Sequence, residues 1–348
     1  MWRPCGVFDE TYSSDMSIVR TKFHWICLIV SLLFVMIFPL FDNYYLLSLF
    51  NKMAIMTIVA MGLQILSGMC GQISFGQAAF MSVGAYTSCI LTNIGLSFWI
   101  VMPIAGIVSG LIGLLGGTSA LRVKGFYLAI ATLALHFVII WLTMHLEITG
   151  STEGLHMDPP TFFGILIDTE PQKFYVIISV LALMTYGARN LVRTRVGRVF
   201  VAIRDNDLAA QVMGINLFYY KLLAFFIACF YAGIGGSLWV LWLNLAHPDQ
   251  FGLMDNVYYL GMIIIGGLGS IPGVFFGVVF IVLLDEILML VAPPLSTLFP
   301  SLGMEVSANL SLSIFGIAIV LFLIYEPRGL YRTWNVIKNS LRVYPFTY

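Results

Sequence analysis

Long apolar runs, separated by short breaks rich in glycine or charge, recur along almost the entire chain. A helix of about 18 to 25 apolar residues is long enough to cross the hydrocarbon core of a bilayer. The runs are continuous and do not alternate apolar with polar positions, so they predict membrane helices and not barrel strands. They fall at 24–41, 45–67, 73–92, 98–121, 126–146, 174–188, 217–243, 256–268, 273–291 and 308–325, with a polar segment, 147–172, between the fifth and the sixth. The expected fold is all-α: a polytopic membrane helix bundle of about ten spans.

Five runs precede the polar segment and five follow it. An odd number in the first half makes the second half enter the membrane with reversed polarity, the arithmetic of an inverted repeat (five plus five). Two stretches echo each other across the halves: "MGLQILSGMCGQISFGQAAF" (61–80) and "LGMIIIGGLGSIPGVFFGVVF" (260–280). Each is an apolar run broken by clustered glycines and then resumed.

Composition agrees with the pattern. With 60% hydrophobic and 10% charged residues, and a mean hydropathy of +0.95, the chain has too little polar material to cover a water-soluble globule. Cationic loops stay on the cytoplasmic side of a membrane. With the N-terminus inside, every Lys and Arg falls inside except Lys52 and Lys173. The implied organisation is a cytoplasmic N-terminal segment, 1–23, a transmembrane domain, 24–325, with 147–172 as an external loop, and a cytoplasmic tail, 326–348. The first run lacks a small-residue cleavage signature and reads as a retained span. Net charge is zero, with no basic stripe to suggest a nucleic-acid partner. Cys5, Cys27, Cys70, Cys89 and Cys229 have neither disulfide-framework nor metal-site spacing and read as small packing residues.

The first glycine-broken stretch brings Gln64, Gln72, Ser74, Gly76 and Gln77 together. A broken membrane helix frees backbone N–H and C=O groups, and a half-helix N-terminus at mid-membrane suits a carboxylate, so these residues are candidates for a solute pathway. Close helix crossing, with the glutamines bonding neighbouring helices, is the structural alternative. In the second stretch, Pro272 ends one helix and Gly273 and Gly277 begin a tightly packed next one. Gly106 with Gly110, and Gly233 with Ser237, read as helix-packing pairs. Asp285 and Glu286 are adjacent acids inside an apolar run, with no intramembrane Lys or Arg as an obvious partner. They leave open an ion-coupled secondary transporter of a small solute. His136 and His145 are too far apart along one helix to share a metal and read as interhelical bonding groups. No catalytic residues and no metal ligands are expected: the sequence carries no HExxH and no nucleophile with a placed base.

"GRVFVAIRDNDLAAQVMGIN" (197–216) is far more polar than its surroundings and too polar to span. As one helix near 197–214 it groups Val199, Ile203, Ala210 and Met213 on one side, and Arg204, Asp207 and Gln211 on another. A short cytoplasmic helix presenting both signs of charge suits docking of a soluble partner. The arginines at 189–198 are also accounted for by topology and contact with membrane lipid, but Asp205 and Asp207 are not, since acids weaken a lipid-binding patch.

"DLAAQVMGIN" resembles the coupling motif of ABC importer permeases, with Ala209, Ala210 and Gly214 matching its AAxxxG core. Leu208 stands at the motif's acid, Asp207 lies one residue earlier, and the motif's distal proline is absent. The wider chain is similar to the LivM-type permeases of branched-chain amino acid importers, through "SGMCGQISFGQAAFMSVGAYTS", "RVKGFYLAIATLAL", "TGSTEGL", "YKLLAF", "GGLGSIPG" and "EPRGL", in order over roughly 45–332. The resemblance implies a multi-pass permease of the bacterial cytoplasmic (inner) membrane, with both termini cytoplasmic. It implies a second, homologous permease, two cytoplasmic ATP-binding subunits and a periplasmic substrate-binding protein as partners. ATP and Mg would be held by the partner ATPases; the sequence has no GxxxxGK[ST] phosphate loop, and no cofactor is expected on this chain. Arg198, Arg204, Asp205, Asp207, Ala209, Ala210 and Gly214 are the implied coupling residues. The implied function is import of branched-chain or related amino acids by ATP-driven alternating access.

Overall fold

Backbone groups that cannot reach water must pair within their own segment, and the chain meets that demand with helices. The computed structural model describes residues 26, 36–41, 43–120, 125–162, 165–298 and, with gaps, 313–343. The expected first and last spans, 24–41 and 308–325, lie wholly or partly outside the described residues, as do segment 1–23, Cys5, Cys27, Arg122, Lys124 and Arg328.

Six helices among the described residues are long and apolar enough to cross a membrane. They are α1 (Tyr44–Leu63), extended by a π-helical turn (Gln64–Met69), α3 (Phe98–Ala120), α4 (Phe126–His145), α5 (Glu170–Arg193), α8 (Leu217–Leu243) and α10 (Ile271–Leu298). They match six of the ten runs read from hydropathy. The runs at 73–92 and 256–268 form the shorter helices α2 (Gln77–Asn93) and α9 (Leu253–Gly266). At 1.5 Å per residue, their 17 and 14 residues reach only about 25 and 21 Å, short of a hydrocarbon core of about 30 Å. Two small helices, α6 (Arg195–Asp205) and α7 (Asp207–Val212), follow α5, and α11 (Leu330–Val343) ends the described chain.

α1 and α8 form the middle of the bundle: 72% of the apolar window of each is buried, against 22% for α5. Small residues permit the central crossings. A Cβ on Gly84 of α2 would overlap the Gly233 carbonyl of α8, and one on Gly233 would lie 2.6 Å from Ser109 Cβ on α3. Ser109 Oγ lies 2.8 and 2.9 Å from the Phe80 and Cys229 carbonyls and shares its one proton between them, linking α2, α3 and α8 at one level. Gly106 and Gly110 lie under Phe230 and Phe226, as the packing-pair reading expects. Cys70, Cys89 and Cys229 are buried and form no disulfide among the described residues.

At the end of the bundle away from α6 and α7, the polar segment 147–172 is tied down by strands. β1 (Leu155–His156) pairs antiparallel with β4 (Leu245–Ala246), after α8, and β2 (Thr161–Phe162) pairs with β3 (Ile165–Leu166). Lys173, almost fully buried, donates to the Trp242 carbonyl at 3.1 Å, which satisfies a cation that burial would otherwise penalise.

Candidate functional site

α2 begins inside the bundle. Gln77, its first residue, donates from Nε2 to the Val59 carbonyl at 3.0 Å and the Ala228 carbonyl at 3.1 Å. Ala228 is near the midpoint of α8, and Val59 lies in the inner part of the 26-residue span Tyr44–Met69, so the α2 N-terminus lies near mid-depth. The chain reaches that point by a reversal after the π-helical turn and an irregular return through 72–76. The freed donors are met by side chains: Phe75 N–H by Thr132 Oγ1 at 2.9 Å, Gly76 N–H by Ser74 Oγ at 3.3 Å, and Ala78 N–H by Asn256 Oδ1 at 2.8 Å. Asn256 lies in the first turn of α9 and also bonds His136 Nδ1 of α4 at 3.1 Å. Both short helices therefore start at mid-depth; α2 runs toward the strand-bearing end and α9 toward the end that carries α6 and α7.

The five residues read as a solute pathway are thus brought together, but in different environments. Gln64, Gln72, Ser74 and Gln77 are all buried. Gln64 Nε2 donates to the Gly267 and Ser270 carbonyls, each at 2.9 Å, pinning the end of α1 to the α9–α10 turn. A Cβ on Gly76 would come within 3.1 Å of the Phe80 ring. Gln72 differs: neither its amide N nor its amide O finds a partner among the described residues. His136 bonds between helices as expected, whereas His145 bonds the Trp141 carbonyl of its own helix and stacks on that indole.

The charged stretch corrects one expectation. It is two helices and not one, because Asn206 is extended (φ −158°, ψ 105°) and its Oδ1 caps α7 by accepting from Ala209 N–H at 3.0 Å. Asx side chains compete with helical hydrogen bonds in this way and favour caps. The break resets the helical phase. Ile203 and Ala210 are buried as grouped, Val199 is half-buried, and Met213 is 74% exposed. Arg198, Ala209 and Gly214 are exposed, with Gly214 in the left-handed region that ends α7. Asp207 pairs with Lys221 of α8 at 3.8 Å. Leu208, Val212 and Met213 form an exposed apolar knob on α7 that helical grouping of the unbroken stretch could not show.

Arg204 sits at the centre of this end. Its Nη1 donates to the Gly68 carbonyl at 2.9 Å, and its Nη2 pairs with Asp205 at 3.0 Å. A Cβ on Gly71, which has φ +73°, would lie 3.0 Å from Arg204 Cγ; one on Gly269, φ +84°, would lie 2.8 Å from Arg204 Nη1. Both glycines need the left-handed backbone and both leave room for the guanidinium stem. One arginine of the charged helices is therefore seated in a joint made by the two glycine-broken stretches.

The acid pair Asp285–Glu286 also departs from expectation, since it has partners from α1. Lys52 Nζ lies 3.4 Å from Asp285 Oδ2, and Tyr45 OH donates to Glu286 Oε1. Tyr45 and Lys52, seven residues apart, fall on one side of α1, next to α10; Lys52 lies within the run 45–67, although the charge assignment counts it to the external side. No group of three His, Cys, Asp or Glu side chains among the described residues could hold a metal ion.

A family model described as "Branched-chain amino acid transport system / permease component" matches residues 45–323. The chain is similar to the high-affinity branched-chain amino acid transport system permease protein LivM of Salmonella typhimurium: 29% identical over 299 residues, 78% of this chain and 67% of that one. It is similar to the autoinducer 2 import system permease protein LsrC of Klebsiella pneumoniae, 28% identical over 200 residues, 55% and 54% of the two chains. It is also similar to the high-affinity branched-chain amino acid transport system permease protein LivH of Salmonella typhimurium, 24% identical over 256 residues, 67% and 82% of the two chains. No solved structure matches it.

Proposed function

We propose, from the premise that this chain belongs to the branched-chain amino acid transport system permease family, that it is the membrane-spanning subunit of an ABC importer for branched-chain or related amino acids. The six long apolar helices make it a multi-pass membrane protein. In the proposed assembly it lies in the bacterial inner membrane with both termini in the cytoplasm and pairs with a homologous permease, a pairing supported by its similarity to both LivM and LivH. Two ATP-binding subunits dock from the cytoplasm, and a periplasmic binding protein delivers the solute. A full count of ten spans in an inverted repeat is supported by α2 and α9. Each is the third run of its half, each starts at mid-depth, and they point in opposite directions.

The observation that carries the reading is the seat of Arg204 between Gly68, Gly71 and Gly269. α6 and α7 present Arg198, Asp205, Ala209 and the knob of Leu208, Val212 and Met213 to the cytoplasm as the docking surface. Movement of that surface is passed by Arg204 into the turns that end α1 and α9. Those turns in turn position the mid-depth start of α2, beside which a mostly apolar zwitterion passes. Tight recognition is left to the binding protein, so the pathway needs few fixed charges.

Purification of the tagged chain from native membranes in mild detergent tests the assignment. Co-purification of two ATP-binding proteins and a homologous permease is expected, with the ATP-binding proteins lost on Leu208→Asp and Val212→Asp. Recovery of the chain alone, from membranes in which other complexes survive, contradicts it.

A further inference from the structure

A cavity of about 390 Å³ opens between the reversal at 70–73, the start of α4, the α6–α7 break and α8. That volume is at the lower end of small-molecule sites, which run from about 300 to 1,000 Å³. Its walls carry both signs of charge: Arg204 and Lys221 on one hand, Asp205 and Asp207 on the other. Leu128 and Ile203, both buried, add an aliphatic patch. Gln72 also lines it, 4% exposed, with its amide unpartnered among the described residues.

We infer that this cavity binds a free zwitterionic amino acid with an aliphatic side chain from the cytoplasmic side, and that binding there slows the importer. The carboxylate faces Lys221 and Arg204, the ammonium faces Asp205 and Asp207, and the side chain lies on Leu128 and Ile203. The inference rests on the permease reading and deepens it, because the ligand is then the imported product. Its site bridges the reversal at 70–73 and the α6–α7 break, the two parts that Arg204 joins. A ligand bound across both favours the one arrangement that holds it, and it shifts the cycle by its differential affinity for that arrangement.

The test uses the assembled importer in vesicles, with the ATP-binding subunits facing the lumen and the binding protein outside. Initial uptake of labelled leucine and luminal ATP hydrolysis are measured with L-leucine preloaded in the lumen. Both rates are expected to fall about tenfold at a luminal concentration ten times the dissociation constant. Leucinol, which lacks the carboxylate, is expected to leave both unchanged. Ile73→Trp fills the cavity from a residue that is 46% exposed, and is expected to abolish the inhibition while uptake into empty vesicles persists. Rates indifferent to luminal leucine, equal inhibition by leucinol, or inhibition undiminished in an active Ile73→Trp importer each overturn the inference and leave the permease reading standing. Absence of uptake into empty vesicles overturns that reading and the inference with it.

Discussion

The α1–α2 connection and the α9–α10 connection both interrupt an apolar run with glycines, yet they are built from different materials. In the first, a π-helical turn, a left-handed glycine and an irregular return bring in Gln64, Gln72, Ser74 and Gln77. In the second, backbone lies directly on backbone: a Cβ on Gly266 would overlap the Gly273 carbonyl, and one on Gly277 would overlap the Met262 carbonyl. Polar side chains can exchange partners, and π-helical turns are frequent at functional sites. Glycine-on-glycine contact has no such latitude, because packed interiors do not deform continuously. The α9–α10 turn is therefore the fixed side of the joint and the α1–α2 connection the adjustable side, with Arg204 seated between them.

The largest effect expected from this difference is on folding. Gly277→Val forces α9 and α10 apart; overpacking of this kind costs about 1–3 kcal/mol or more, so the yield of detergent-stable protein should drop by about tenfold. Normal yield and activity in that variant would mean the turn is not rigid. Gly71→Val acts on the other side. A β-branched residue at φ +73° costs about 1–3 kcal/mol and crowds Arg204, so uptake should fall about tenfold while the folded complex is still recovered. Loss of protein equal to that of Gly277→Val would erase the distinction. Gln72→Leu removes the unpartnered amide. Thermal stability should rise, by about 1 kcal/mol, while uptake falls, and a parallel change in both would sink the pathway role. The smallest effect is expected far from the joint. The pairs on Asp285 and Glu286 tie α1 to α10 away from the joint, so Asp285→Asn with Glu286→Gln should keep uptake within about twofold. Abolished uptake there would revive ion coupling.

The sequence showed the long helices well, because a membrane makes hydropathy a direct reading of depth. It could not show that the runs at 73–92 and 256–268 start at mid-depth. That follows from hydrogen bonds such as Gln77 to Ala228 and Ala78 to Asn256, whose partners are remote in sequence. The break in the charged stretch is within reach of the sequence, since Asn206 is a favoured N-cap type followed at once by the acidic Asp207, but amphipathic grouping over the whole stretch hides it. Arg204 and the two glycine-broken stretches are each visible separately in the sequence. Their convergence depends on chain reversals at Gly71 and Gly269 that no local period encodes.

The seat of Arg204 makes a direct demand on energetics. In the proposed coupling, the charge-assisted bond of Arg204 to the Gly68 carbonyl passes movement on and is not what holds the partners, so Arg204→Ala should separate hydrolysis from transport. The measurement is the number of ATP molecules hydrolysed per amino acid imported by the purified, reconstituted complex. The account predicts that Arg204→Ala keeps its ATP-binding subunits and hydrolyses ATP within about twofold of normal, while uptake falls about tenfold, consistent with loss of a bond worth roughly 1.5–3 kcal/mol. An unchanged ratio, with hydrolysis and uptake both intact or both falling together, would contradict it.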